Sequence, residues 1–189
     1  DIQDRDEIRH HRPTVWALCG EPKAIVAGNA LRIIADTSLW RLVDEGVSFD
    51  DALRAASLLT EAYLEMIEGQ YLDLFYEGRS DISIQNYLNM ISKKTGALIR
   101  CSLNLGALIG TRDSATVKAI RECGRLLGFV FQIRDDMLGI WGNEEATGKP
   151  VGADIKRRKN TLPVVYAKSR AYGVDKNILS DIYQGKTIS

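Results

Sequence analysis

The amino-acid sequence predicts an all-α protein, a bundle of long and mostly antiparallel helices. Alternating strand patterns are nearly absent, and none of the 4 prolines lies between Pro22 and Pro150, so long helices are possible there. Several segments are apolar on more than one helical side, which is typical of the buried helices of a large bundle. A length of 189 residues suits one domain with a substantial core, so residues 1–189 are predicted to form a single domain.

The apolar spacing places the helices in chain order. They cover about residues 25–46, 50–71, 84–109, 114–140 and 160–172. Ser48 or Asp50 is the predicted cap of the second helix, and Gly96 is expected to relax the third. The predicted buried stripe of the second helix consists of Leu53, Ala56, Leu59, Tyr63, Met66, Ile67 and Tyr71.

The charge and the cysteines exclude several classes of protein. Lys+Arg and Asp+Glu both number 25, so the net charge is zero, which argues against a protein that coats nucleic acid. Cys19, Cys101 and Cys123 are far apart and odd in number, which disfavours a cysteine zinc site and a disulfide framework. Such cysteines favour a reducing compartment, so we expect a cytoplasmic protein. No apolar run reaches the roughly 18 residues of a membrane span, and no signal peptide is visible.

An apolar helical run carries a cluster of acidic and amide groups. The cluster consists of Gln132, Asp135, Asp136 and Gly139. At 3.6 residues per turn, these positions stack along one helical face. Adjacent carboxylates in apolar surroundings repel each other unless a cation joins them, and Mg²⁺ suits because it bridges carboxylates to phosphates. A solvated aspartate pair with Arg134 beside it is the alternative interpretation.

A second acidic cluster lies at the start of the chain. Asp1 and Asp4 are three residues apart, which predicts that both lie on one helical face. Arg9 and His10 follow them. Taken alone, the segment fits a charged helix end equally well, and that alternative stays open. His10 and His11 are adjacent and would point apart on a helix, so a site built on two histidines is not expected.

Cations after the acidic helix are candidates for binding phosphate. Lys149 and the basic run 156–159, which ends with Lys159, lie in the segment 142–159. This segment is too long and polar for a plain connection, so we expect a functional loop. A solvated face or a nucleic-acid patch is the alternative for the basic run, but its closeness to Lys149 and to the acidic helix favours phosphate.

Two further pairs of polar residues lie inside the predicted helices. Lys94 and Thr95 precede a glycine that loosens the helix, where they could bind phosphate, although such pairs are usually on the surface. Gln70 and Asp73 lie one turn apart among apolar neighbours, so they face either the same cavity or solvent.

Together these residues resemble the trans-isoprenyl diphosphate synthases, the head-to-tail polyprenyl synthetase family. Nearly all of the chain fits the family, and the ordered set of motifs is far more specific than any single match. The matching motifs are Asp1-Ile2-Gln3-Asp4 with Arg9 and Pro13-Thr14, Gly69-Gln70 with Asp73, Lys94-Thr95, Gly128 through Gly139, Thr147-Gly148-Lys149, and Asp154 through Lys159.

The resemblance implies a fold of the isoprenoid synthase type, in which the helices surround a central cavity, and it implies roles for the candidate residues. The implied catalytic residues are Lys94, Thr95, Gln132 and Asp135. The implied substrate-binding residues are Arg9, His10, Lys94, Thr95, Gln132, Lys149 and Lys159. The implied metal ligands are Asp1, Asp4, Asp135 and Asp136, which would hold two or three Mg²⁺ ions that bridge the diphosphate.

The chain departs from the family pattern at two residues and at both of its ends. Gly139 stands at the third acidic position of the second aspartate-rich motif, and His10 stands where the family usually has an arginine. The leading aspartate of the first motif would precede residue 1, and the carboxyl end is also short. We therefore expect the chain to be incomplete at both ends.

The resemblance implies a prenyltransferase. Such an enzyme condenses an allylic diphosphate with isopentenyl diphosphate and releases pyrophosphate. The allylic C–O bond ionises, cationic residues stabilise the departing diphosphate, and Lys94, Thr95 and Gln132 shield the carbocation with oxygen dipoles. Products of C15 to C20 are favoured, and a homodimer is expected by analogy with the family.

Two other functions stay open at this point. A class I terpene cyclase shares ionisation triggered by metal, but its usual second motif, N-D-x-x-S-x-x-x-E, is not matched by the residues from Asp135 to Gly142. A non-catalytic subunit of a heteromeric prenyl synthase would carry degraded motifs. Gly139 and His10 point slightly toward such a subunit, whereas the four aspartates Asp1, Asp4, Asp135 and Asp136 point away from it.

Overall fold

A computed structural model describes residues 1–9, 11–142 and 152–185 of the chain. In chain order the elements are β1 (Ile8–Arg9), β2 (Arg12–Pro13), α1 (Val15–Cys19), α2 (Glu21–Trp40), a 3₁₀ turn (Arg41–Val43), α3 (Phe49–Tyr76), α4 (Ile84–Lys94), α5 (Gly96–Gly110), α6 (Ser114–Trp141), α7 (Ala153–Lys156), α8 (Leu162–Arg170) and α9 (Gly173–Gln184). The predicted all-α class is confirmed. None of the helices in these described residues has the length and apolar content needed to cross a membrane.

Side chains at the helix starts explain where the long helices begin. The Ser48 hydroxyl accepts from the backbone N–H of Asp51, so Ser48 caps α3, as the sequence predicts. Ser83 and Asn86 form a reciprocal capping box at the start of α4. The Asp113 carboxylate accepts from two backbone N–H groups in the first turn of α6. Each cap satisfies backbone donors that have no partner inside the helix.

The buried face of α3 differs from the predicted stripe. Leu53 and Tyr71 belong to that stripe, yet their residues are 45% and 63% exposed. The buried positions of this helix are mostly small residues: Ala52, Ala55, Ala56, Ala62 and Gly69, together with Asp73 and Tyr76. The reason is close contact between helices. A Cβ at Gly69 would lie 2.1 Å from the backbone nitrogen of Lys94, so only glycine fits there.

The single helix predicted over residues 84–109 is divided into α4 and α5 by Thr95. A second close approach explains the break. A Cβ at Gly128 of α6 would lie 2.6 Å from the Cα of Gly96, so α5 begins directly against α6. Together, Gly69 and Gly128 let α3 and α6 meet the junction of α4 and α5 around residues 94–96. This meeting point fixes the backbone of two candidate site residues.

The core lies where α3, α4, α6 and α8 meet. Its buried apolar cluster consists of Tyr76, Ile82, Tyr87, Met90, Ile91 and Val165. The packing of α5 against α6 is the most extensive in the molecule, and α3 packs on both α4 and α5. In contrast, α2 has no buried residue over its 20 residues and contacts α3 only lightly.

The first residues of the chain are not helical, so the prediction that Asp1 and Asp4 share a helical face is wrong. Residues 1–6 form a compact turn, here called the acidic turn, in which the N–H of Asp6 donates to the carbonyl of Asp1. Arg5 has a φ of 54°, a left-handed conformation that interrupts a helix. The short antiparallel hairpin of β1 and β2 follows and draws the backbone into an extended path.

Candidate active site

One large cavity of about 690 Å³ brings the sequence motifs together. It is lined by Asp1, Gln3, Asp4, Asp6, Arg9, Met66, Gln70, Asp73, Tyr87, Met90, Ile91, Lys94, Thr95, Phe131, Gln132, Asp135, Asp136, Asp154, Arg157, Lys159, Asn160 and Thr161. Its volume falls within the range of small-molecule sites. Charged groups and apolar side chains share this lining, so the cavity can take a ligand with an anionic head and a hydrocarbon part.

Three carboxylates of the acidic turn are paired with cations, and two of these cations come from a distant part of the chain. The pairs join Asp1 to Arg9 (3.6 Å), Asp4 to Lys159 (2.6 Å) and Asp6 to Arg157 (3.3 Å). Burial would raise the pKa of Asp4, but the hydrogen bond and the charge of Lys159 outweigh it and lower that pKa. The pairs of Asp4 and Asp6 attach the acidic turn to the segment after α7, although more than 150 residues separate the partners in sequence.

Asp73 lies between the two candidate lysines. Its carboxylate is 2.6 Å from the Lys94 ammonium and 3.8 Å from the Lys159 ammonium. The side chain of Lys159 is only 12% exposed. Burial disfavours its charge, yet Asp73 and Asp4 raise its pKa above the ordinary value, so Lys159 stays a cation. Asp73, one turn from Gln70 on α3, therefore faces the cavity and holds both cations there.

The second acidic cluster lies on α6 and lines the same cavity as these cations, and its two aspartates differ. Asp135 is exposed to the cavity and has no hydrogen-bond or ion-pair partner in the part of the chain that the structure describes. Asp136 is 4% exposed and is held by three donors. Tyr87 and the backbone N–H of Leu162 donate to its Oδ2, and Gln132 donates to its Oδ1.

The contacts of Asp136 tie three helices together. The donor distances are 2.7 Å from the Tyr87 hydroxyl, 2.8 Å from the Leu162 nitrogen and 2.8 Å from the Gln132 amide. Leu162 is the first residue of α8, where unpaired N–H groups and the helix dipole favour an anion. Burial raises the pKa of Asp136, and the three hydrogen bonds oppose that rise.

The break at Thr95 brings its hydroxyl to α6. The Thr95 hydroxyl donates to the side-chain carbonyl of Gln132 at 2.5 Å. Gln132 lies one turn after Gly128, the residue that allows α5 to begin against α6. Lys94, Thr95 and Gln132 therefore share one cavity because Gly69 and Gly128 allow the backbones of neighbouring helices to come close together.

Gly139, the departure from the second aspartate-rich motif, has a steric explanation. A Cβ at this position would lie 2.6 Å from Oδ2 of Asp154. The backbone N–H of Gly152 also donates to the carbonyl of Gly139 at 2.9 Å. The segment that leads into α7 is thus docked on α6 at the glycine, with the Asp154 carboxylate beside it and on the cavity lining.

The structure therefore brings most of the predicted site residues together. Those that line the cavity are Asp1, Asp4, Arg9, Lys94, Thr95, Gln132, Asp135, Asp136 and Lys159. His10 and Lys149 lie outside the described residues, and their roles stay predictions. The sequence prediction missed Asp6, Tyr87, Asp154, Arg157 and Thr161, although Asp154 and Arg157 belong to the motif that ends at Lys159. Nothing in the spacing distinguishes Tyr87 from other core residues.

The donor set fits a divalent cation shared with a ligand better than one held by protein alone. Within the described residues, no three Asp, Glu, His or Cys side chains are close enough to hold a metal ion together. Carboxylates on opposite sides of one cavity can still each contribute an oxygen to ions that a polyphosphate also binds, which is how Mg²⁺ is commonly held. The acidic turn and Asp135 have this arrangement.

Comparison with known proteins agrees with these motifs. The family model for polyprenyl synthetase matches residues 1–189. The geranylgeranyl diphosphate synthase of Mycobacterium tuberculosis is 44% identical over 167 residues, which are 88% of this chain and 47% of that enzyme. The geranylfarnesyl diphosphate synthase of Aeropyrum pernix is 41% identical over 176 residues, which are 90% of this chain and 54% of that enzyme.

A solved structure gives the same result in three dimensions. The geranylgeranyl pyrophosphate synthetase of Pyrococcus horikoshii superposes with a TM-score of 0.87 at 38% identity. The superposition covers 97% of this chain and 55% of that one. The chain thus spans about half the length of the curated relatives it matches. Sequence motifs, cavity and fold agree, and the chain belongs to the polyprenyl synthetase family.

Proposed function

We propose that this protein is a trans-prenyltransferase that joins an allylic diphosphate to isopentenyl diphosphate and releases pyrophosphate. The observation that carries the proposal is the shared cavity, in which the acidic turn, Asp135 and the lysines of two distant motifs face one space. The similar enzymes include geranylgeranyl and (2E,6E)-farnesyl diphosphate synthases, whose names support a short-chain product, and we favour C15 to C20.

The cationic residues would bind the allylic diphosphate. Lys94, Lys159 and Arg9 each line the cavity and each already contacts a carboxylate. An ammonium group has three N–H donors, so each lysine can keep its carboxylate and still donate to a phosphate oxygen. Because Asp73 and Asp4 hold Lys159 in place, its charge is directed to the site where negative charge builds up on the leaving group.

The acidic residues would hold divalent cations beside that diphosphate. We propose that Asp1, Asp4 and Asp135 bind Mg²⁺ through carboxylate oxygens, with two or three ions in total, and that the buried Asp136 has a different role. When bound, Mg²⁺ would supply positive charge that stabilises the leaving diphosphate. The apolar side chains of Met90 and Phe131 line the same cavity and would receive the hydrocarbon chain and help to exclude water.

A direct assay tests the proposal. Full-length purified protein is incubated with Mg²⁺, labelled isopentenyl diphosphate and allylic primers of increasing length, with and without a chelator. Longer diphosphates that form only with the metal would support the proposal, and their length would identify the product. Hydrocarbon products would instead indicate a terpene cyclase, and no turnover would indicate a non-catalytic subunit.

We also propose a homodimer in which α2 contributes to the interface. Ile25, Val26 and Ile33 of this helix are exposed by 54%, 66% and 63%. A row of exposed apolar side chains on one helix is typical of an interaction surface. Light scattering of the full-length protein, compared with Val26→Asp, tests this, because a charge in an apolar interface favours the monomer. The cytoplasmic location expected from the cysteines stays a prediction.

A further inference from the structure

We infer that Asp136 is a positioning residue that fixes the direction of the hydrogen bonds through Gln132 to Thr95, so that the Thr95 hydroxyl presents its oxygen lone pairs to the cavity. The chain of groups from Asp136 through Gln132 to Thr95 is called the relay below. The inference rests on the proposed function, because the charge that the Thr95 oxygen faces is the allylic carbocation. It assigns Asp136 a different role from Asp135, although the two are neighbours.

The Asp136 carboxylate determines which way the Gln132 amide points. An ionised carboxylate can only accept hydrogen bonds, and Oδ2 of Asp136 already accepts from Tyr87 and Leu162. Its Oδ1 meets the Gln132 side chain at 2.8 Å. Gln132 must therefore turn its NH₂ group toward Asp136, because its carbonyl oxygen would repel the carboxylate.

The Gln132 amide in turn determines where the hydrogen of the Thr95 hydroxyl points. With its NH₂ group committed to Asp136, Gln132 presents its carbonyl oxygen to Thr95 at 2.5 Å. A carbonyl oxygen accepts and cannot donate, so the single hydrogen of the Thr95 hydroxyl points toward Gln132. The lone pairs of that hydroxyl are left for the cavity, which Thr95 lines.

The consequence is electrostatic. An oxygen that faces the cavity with its lone pairs is the negative end of a dipole, and it stabilises positive charge that develops on a bound hydrocarbon. A hydroxyl that pointed its hydrogen into the cavity would have the opposite effect. The direction is fixed before the reaction by the Asp136 carboxylate, so no reorientation is needed when the carbocation forms.

Isosteric replacement of Asp136 tests the inference. In Asp136→Asn, the side-chain oxygen can still accept from Tyr87 and Leu162, but an NH₂ group then faces the NH₂ group of Gln132. The Gln132 amide must rotate, and Thr95 must point its hydrogen into the cavity. We expect kcat for elongation to fall roughly 10- to 100-fold, at or below the lower end of the roughly 100- to 1,000-fold loss found when one oriented donor is removed, with a KM for the allylic diphosphate that changes little.

A double-mutant cycle separates this effect from a structural one. Thr95→Val removes the hydroxyl, so Asp136→Asn made in that background should lower kcat by less than about threefold. An equal loss in both backgrounds would overturn the inference. Tyr87→Phe is the matched control, because it removes a donor to Asp136 and leaves the direction of the relay unchanged. We expect its kcat to fall by less than about fivefold, and a loss as large as that of Asp136→Asn would also overturn the inference.

A measurement without turnover keeps this test distinct from that of the proposed function. Neutron diffraction on the deuterated wild-type protein locates the hydroxyl deuterium of Thr95 and the amide deuterium atoms of Gln132. We expect the Thr95 deuterium to lie toward Gln132 and the amide deuterium atoms toward Asp136. A Thr95 deuterium that points into the cavity would overturn the inference even if the enzyme elongates prenyl chains. The expected arrangement in a protein without elongation activity would contradict the proposed function alone.

Discussion

The two acidic sides of the cavity are built in opposite ways. The acidic turn is irregular backbone, and its carboxylates Asp4 and Asp6 are held by cations from the segment after α7. The other side is a regular helix, α6, where Asp136 is held by neutral donors and Asp135 has no partner among the described residues. The carboxylates of the acidic turn are therefore neutralised by cations, whereas the position of Asp136 is fixed by contacts between packed helices.

Because of this difference, we expect the two sides to contribute differently to metal binding. A carboxylate that already contacts a lysine shares its charge with that lysine, so a bound cation must compete for it. Asp135 has no such competitor among the described residues, so it offers its full charge to a cation. We therefore expect the helical side to carry more of the metal affinity, and the acidic turn to couple metal binding to the position of Lys159.

The largest expected effect comes from removing the Asp135 carboxylate. Asp135→Ala should lower turnover by roughly a thousandfold, because it removes a ligand of the ions that stabilise the leaving group. Circular dichroism and thermal unfolding should show an intact fold, since Asp135 is exposed and has no partner among the described residues. A loss of less than tenfold would remove Asp135 from the metal site.

Binding without turnover sharpens the contrast between the two neighbours. Calorimetric titration with inorganic pyrophosphate in the presence of Mg²⁺ should show binding weakened at least about tenfold in Asp135→Asn. The same titration of Asp136→Asn should stay within about threefold of the wild type. Equal weakening in both variants would mean that the two aspartates serve the metal alike.

The next effect concerns Gly69, the glycine that lets α3 approach the backbone of Lys94 on the cavity lining. In Gly69→Ala, a Cβ would meet the backbone nitrogen and Cα of Lys94 at 2.1 and 2.6 Å, and backbone atoms cannot move aside cheaply. We expect the free energy of unfolding to fall by about 3 kcal/mol or more, as measured by urea denaturation. The control is Gly106→Ala on α5, which has nothing within 4 Å and should be neutral or stabilising. Similar values for both variants would contradict the close contact.

A smaller effect is expected from the cation that bridges the acidic turn and α3. Lys159→Met should lower kcat/KM for the allylic diphosphate roughly 10- to 100-fold, because a charge-assisted hydrogen bond to phosphate is lost and Asp4 and Asp73 lose their shared partner. Lys156→Met is the matched control, since Lys156 is exposed and lies three residues away in the same basic run. Steady-state kinetics that change equally in both variants would place Lys159 outside the substrate site.

The smallest expected effect is a pH dependence of the stability that Lys168 contributes, since Lys168 holds Asn160, the residue next to Lys159. Lys168 donates to the carbonyl of Arg79 and to the side chain of Asn160, next to Lys159, and burial lowers the pKa of Lys168 to about 8 from an ordinary value of 10.5. Between these values the unfolded chain binds more protons at Lys168 than the folded protein does. The contribution of Lys168 to the free energy of unfolding should therefore rise with pH across this window.

Urea denaturation between pH 7.5 and 10.5 checks this expectation. The difference in unfolding free energy between the wild type and Lys168→Met should increase toward high pH. Lys176→Met, which removes an exposed lysine from α9, serves as the control. A difference that stays constant for Lys168→Met, or that falls, would contradict the burial of this ammonium group.

Much of the fold could be predicted from the sequence because its helices are long and their starts are capped by local side chains. Ser48 is such a case, since its bond to Asp51 depends only on neighbouring residues. The backbone of the acidic turn could not be predicted, because it depends on the left-handed Arg5 and on the hairpin that follows. The break at Thr95 depends in the same way on a glycine of α6, far away in sequence.

The candidate site was predictable in its residues but not in their division of labour. Asp135 and Asp136 are chemically identical neighbours, and helix geometry turns their side chains about 100° apart around α6. Which of them is buried depends on where Tyr87 and the start of α8 pack. Those contacts are tertiary, so spacing within the sequence does not distinguish the two carboxylates.

The close fit of Gly139 against Asp154 changes how the incomplete second motif should be interpreted. The carboxylate of Asp154 lies beside position 139 and on the cavity lining, so this face of α6 keeps an acidic group although the motif residue itself is glycine. In Gly139→Asp, the new Cβ would lie 2.6 Å from Oδ2 of Asp154, so the Asp154 side chain would have to shift. Restoring the consensus residue would therefore also move a carboxylate that lines the cavity, and would not simply add one.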